Sequence, residues 1–89
     1  MISRDQAKAL AAETVAALGE ASGDEFVLVC RQTIEVNEGW IFFYNSREFV
    51  ETGDPISALA GNGPIFVDRN GDVRRLPSGV PWDEAIRRA

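Results

Sequence analysis

The strongest apolar signal in the chain is Gly39-Trp40-Ile41-Phe42-Phe43-Tyr44-Asn45-Ser46, where large side chains occupy odd and even positions alike. Side chains alternate across a strand, so this run predicts a strand covered on both faces, inside a sheet and not at its edge. Just before it, Phe26, Leu28, Cys30, Ile34 and Val36 alternate with Val27, Val29, Arg31, Thr33 and Glu35. That period of two predicts one strand with a single core face, and it places the Cys30 thiol in the interior. Asn37-Glu38-Gly39 joins the two strands as a three-residue connection, with Gly39 in the left-handed conformation of a bulged hairpin turn. Aromatic and β-branched pairs across such a hairpin contribute on the order of 0.2 to 1 kcal/mol each.

Elsewhere the period changes. Ser3 and Gln6 form a capping-box pattern flanked by Ile2 and Ala7, so a helix begins at Arg4. Gly19 is expected to end it. Its apolar stripe, Ala7, Leu10, Ala11, Thr14, Ala17 and Leu18, is narrow and mostly small, suited to close approach to a sheet. From Arg47 to Asn62 the pattern loosens: Phe49 and Val50 anchor one short piece, Thr52-Gly53-Asp54-Pro55 is a break, and Ile56 to Ala60 makes one helical turn. Ile65 to Asp68 and Asp72 to Leu76 form a second hairpin around Asn70-Gly71, read as a type I′ turn. Pro81 then starts a short helix with acids in its first turn and arginines in its last, matching the helix dipole, and Trp82 and Ile86 face the sheet.

Together these elements predict an α+β protein: an N-terminal helix packed on a four-stranded antiparallel sheet of two hairpins, with a short C-terminal helix. A cystatin-like wrapping of the sheet around the helix is the geometric variant. At 89 residues the expected organisation is a single domain, 1–89, burying only about two-thirds of the surface its unfolded chain exposes.

Composition narrows the chemistry. There is no histidine, which removes the commonest general base, the His-dependent triads and most zinc sites. One cysteine closes no internal disulfide. The formal charge of -5 opposes nucleic-acid phosphates, which are bound by clustered Lys and Arg. The apolar runs are too short to span a bilayer, and Lys8 and Glu13 interrupt any secretory signal, so a cytoplasmic protein with no membrane partner is expected. Gly61-Asn62-Gly63 precedes a strand instead of opening a helix, unlike a phosphate-binding loop. Asp68-Arg69-Asn70-Gly71-Asp72 lacks the glycine and glutamate positions of an EF-hand, and a tight turn explains it. No catalytic, cofactor-binding or metal-ligating set emerges. Glu35, Glu38, Glu48, Glu51 and Asp54 are the candidate partner-binding residues, as an acidic patch near the hairpin and the long connection; a solvated rim without function is the competing reading.

The segments Gly39 to Ser46, Glu51-Thr52-Gly53-Asp54, Leu59-Ala60-Gly61-Asn62-Gly63-Pro64-Ile65-Phe66-Val67-Asp68 and Gly71-Asp72-Val73 together resemble the YrhB-type, or immunity protein 35, family of small bacterial proteins. A weaker likeness around Pro81 to Ile86 and the N-terminal helix extends this over most of the chain. The resemblance implies an α+β fold and a non-catalytic antidote that binds and neutralises a cognate toxin of the polymorphic type. One branch of the family implies instead a heat-stable, holdase-like chaperone acting on other protein clients. It supplies no catalytic residues, and its motif positions read as fold-forming: Gly39, Gly61, Gly63 and Gly71 for backbone geometry, Trp40, Phe42 and Tyr44 for packing. Pairing of two copies through a sheet edge, giving a homodimer, stays open.

Overall fold

A computed structural model describes residues 1–59 and 62–87. Helix α1 spans Arg4–Ser22 and begins as its sequence dictates: the Ser3 hydroxyl accepts from the Gln6 amide, and the Gln6 side chain accepts from the Ser3 amide at 2.8 Å. Gly19 does not end it. The helix stops at Gly23, which takes φ 72 in a Schellman arrangement, with the amides of Gly23 and Asp24 donating to the carbonyls of Glu20 and Gly19. Gly19 has another task. A Cβ there would sit 2.9 Å from the Phe26 amide nitrogen, because the chain doubles back against the helix. Ala7, Ala11, Val15 and Gly19 form the buried stripe, flanked by half-buried Leu10, Thr14 and Leu18, while Ala17 faces solvent. Small residues every four positions let α1 lie close to the sheet.

The four-stranded antiparallel sheet comprises β2 (Ile34–Val36), β3 (Gly39–Phe42), β5 (Ile65–Asp68) and β6 (Val73–Arg75), in that spatial order. A separate pair is formed by β1 (Phe26–Leu28) and β4 (Tyr44–Ser46). The aromatic run is therefore two strands parted at Phe43, and β3 is interior, between β2 and β5. The strand expected from Phe26 to Val36 is also two, divided by a 3-10 turn at Cys30–Gln32. That turn changes the face: Phe26 and Leu28 pack on the α1 side, whereas Ile34 and Val36 pack on the opposite side. It also turns Cys30 outward, so the thiol is exposed and not buried.

Two apolar layers result. On the α1 side, Trp40, Phe42, Tyr44, Ile65 and Val67 meet Ala7, Ala11 and Val15. On the other, Ile41, Phe66, Leu76 and Ala85 are joined by Trp82 and Ile86 of α3 (Trp82–Arg87), so the short C-terminal helix covers the far face as expected. Burying side chains such as Phe42 or Ile41 contributes about 1.5 to 3 kcal/mol each.

The turns differ from expectation in detail. Val36 pairs with Gly39, so the first hairpin closes over Asn37 and Glu38 alone, and Gly39 is a strand residue at φ 157, outside the left-handed turn conformation. A Cβ on Gly39 would lie 2.1 Å from the Val67 carbonyl oxygen. Gly63 meets a similar limit, 1.8 Å from the Leu76 oxygen. In the second hairpin Asn70 does not have positive φ, which rules out type I′; the Asp68 carboxylate accepts from the amides of Asn70 and Asp72, and only Gly71 adopts positive φ, 92. The helical turn expected from Ile56 is a 3-10 turn at Pro55–Ser57. Ala60 and Gly61 lie outside the described residues.

Arg69 locks the hairpins together. Its guanidinium lies 4.3 Å from the Trp40 ring centroid and donates to the carbonyls of Asn37 and Val36 and to the Glu35 carboxylate, while its own carbonyl accepts from the Ile2 amide. The ring beneath it is buried, and its Nε1 has no hydrogen-bond partner.

Candidate partner-binding surface

The five acidic candidates fall into two groups. Glu35 and Glu38 belong to the β2–β3 hairpin; Glu48 and Glu51 lie on α2 (Arg47–Thr52) and Asp54 caps the following turn. The β3–β4 run from Gly39 to Ser46 lies between the two groups along the chain.

Their electrostatic states also differ. Glu35 is paired with Arg69 at 3.2 Å. Glu51 is paired with Arg47 at 3.1 Å, and Arg47 also pairs with Glu25. Hydrogen bonding and charge from Glu25, then Glu51, raise the Arg47 pKa above its ordinary value. Among the described residues, the carboxylates of Glu38 and Glu48 have no ion-pair partner. Asp54 uses its carboxylate internally, accepting from the Ile56 amide at 3.0 Å.

The α2 end is built with care. Ser46, 3% exposed, is its pivot: the hydroxyl caps α2 by accepting from the Phe49 amide at 3.1 Å and donates to the Ser57 carbonyl at 2.6 Å. The Asn45 side chain accepts from the Leu59 amide at 2.7 Å. Gly53 closes α2 at φ 74, and the amides of Ser57 and Ala58 return to Asp54 and Pro55. This hydrogen-bonded segment presents Ile56 at 92% exposure and Val50 at 40%. Beside it lies a cleft of about 350 Å³ lined by Val29, Phe43, Phe49 and Val50, with Arg31 and Gln32 at its polar side. Asp54-Pro55 marks this turn in the sequence, but nothing in the sequence says which of its side chains faces solvent, so the exposure of Ile56 is visible only in the fold.

Among the described residues, no group of three or more Cys, Asp or Glu side chains is placed to hold a metal ion. No helix among them is long and apolar enough to cross a membrane.

Fold and surface thus define a small α+β protein, a sheet backed by helices, whose distinctive feature is an acidic helix and turn presenting an apolar side chain. Residues 5–88 match the family model described as Immunity protein 35, and the chain belongs to that family of immunity proteins, a membership that implies a toxin-neutralising role. It is also 38% identical over 52 residues to a protein of Escherichia coli strain K12 named "Uncharacterized protein YrhB". That alignment covers 57% of this chain and 55% of the relative, so the chain spans about half the relative's length. No solved structure matches the chain.

Proposed function

We propose that this protein is a non-catalytic antidote that binds a cognate bacterial toxin in the cytoplasm and blocks it stoichiometrically, through an acidic surface facing a basic region of the toxin. The match of residues 5–88 to an immunity-protein family carries this reading. The net charge of -5 supports the electrostatic part, since opposite potentials accelerate encounter while desolvated apolar contacts slow dissociation. Of the five candidates, Glu38 and Glu48, without an ion-pair partner among the described residues, are well suited to act at long range.

The holdase alternative calls for an apolar patch of several hundred Å². Among the described residues the exposed large apolar side chains are Met1, Val50 and Ile56, which favours a specific partner over promiscuous capture. A homodimer through the outer edge of β6 would set Arg74 and Arg75 against their counterparts, and like charges across a strand pair are destabilising.

Co-expression tests the reading. The chain is expected to protect cells from the toxin domain encoded beside its own gene and to leave heat-induced aggregation of unrelated proteins unchanged. Protection from heat without protection from that toxin would replace the antidote by the chaperone.

A further inference from the structure

We propose that the turn at Pro55–Ser57, held on α2 by Ser46, is the toxin-docking element, with Ile56 as its anchor, seated in an apolar pocket of the toxin rimmed by Lys or Arg. This rests on the antidote reading and assigns it a place on the molecule.

An isoleucine at 92% exposure contributes nothing to the core, yet the backbone on either side of it is hydrogen-bonded. Asp54 accepts from the Ile56 amide, the amides of Ser57 and Ala58 return to Asp54 and Pro55, and the Ser57 carbonyl is held by a hydroxyl that is itself buried. Proline at the first position of the turn narrows the conformations of the free chain as well. A rigid turn displaying an apolar side chain costs little further ordering on association, which is the condition for an effective anchor. The charge around it selects the partner. Glu48, Glu51 and Asp54 all belong to α2 and the turn that follows it, and the cation of that segment, Arg47, is already shared between Glu25 and Glu51, while Arg31 lies across the cleft lined by Phe49 and Val50. A basic rim is the complement of that surface, and an apolar pocket the complement of Ile56. The hairpin end lacks this combination: its acid Glu35 is held by Arg69, and none of its large apolar side chains is exposed.

The experiment measures binding of the full chain to an inactivated form of the toxin domain encoded beside its gene, comparing wild type, Ile56→Asp and Ala12→Asp. Ala12 lies on the exposed side of α1 and carries the same added charge far from the turn. The proposal expects Ile56→Asp to bind at least about 30-fold more weakly, the loss of a hot-spot side chain, with an unchanged melting temperature, and Ala12→Asp to bind as wild type. Equal binding by Ile56→Asp overturns the docking site and leaves the antidote standing. A wild-type chain that does not bind refutes the antidote reading, and the site with it. A wild-type dimer that Ile56→Asp converts to monomer overturns the proposal in favour of a second copy as the occupant.

Discussion

At the β2–β3 turn, Glu35 binds Arg69, Arg69 stacks on Trp40, and the same guanidinium holds two backbone carbonyls. At the other end of the β3–β4 run, Ser46 and Asp54 order a turn whose isoleucine touches almost nothing. Both ends combine carboxylates with hydrogen-bonded turns. At the first, the polar groups secure the fold, and Glu38 has no ion-pair partner among the described residues. At the second, they fix a shape directed at solvent. Charge count alone does not separate the two; the destination of each hydrogen bond does.

The largest effect distinguishing these ends is expected at Gly39. Its Cβ would collide with the Val67 carbonyl, so Gly39→Val should cost about 4 kcal/mol or more and abolish cooperative thermal unfolding. Native-like melting would show that β3 and β5 can separate at the hairpin end. Arg69→Ala comes next. Losing the stacked cation and its charge-assisted hydrogen bonds should lower stability by about 2 kcal/mol in urea unfolding, while toxin affinity measured below the transition stays at the wild-type value. A large affinity loss there would move the binding site to the hairpin.

Ser46→Ala should cost about 1 to 2 kcal/mol, from the lost helix cap and the unsatisfied Ser57 carbonyl, and unlike Arg69→Ala it should also weaken toxin binding in the folded protein. The smallest effect concerns association rate. Glu48→Lys should slow association at low salt by about 3-fold and flatten its salt dependence, and Glu38→Lys should do less. The reverse order would exchange the roles of the two ends.

Much of the frame is legible in the sequence because it rests on local chemistry. The capping box at Ser3, the two-sided apolar run and the face of α3 carrying Trp82 and Ile86 all follow from spacing. The change of face between β1 and β2 is less visible, since Cys30 and Ile34 keep the apolar phase; Gln32, polar in that same phase, is the signal that the alternation breaks. Gly19 looks like a helix stop until Gly23 is considered: Gly23 caps the helix at positive φ, and only the return of the chain past Phe26 explains why residue 19 is also glycine. The proposed binding surface is least legible of all. The acidic residues are plain in the sequence, but Arg69 and Arg47 reach Glu35 and Glu25 across sequence separations that only the folded sheet closes, and the exposure of Ile56 is fixed by a serine eleven residues from Ser57.

Amide hydrogen exchange of the chain, free and bound to a toxin domain that it neutralises, is the sharpest test of the docking site. Binding is expected to slow exchange from Arg47 through Ala58, with the Ile56 amide included, and to leave the amides of Glu35 to Gly39 at their free rates. Slowing confined to the β2–β3 turn, with residues 47–58 unaffected, would contradict it.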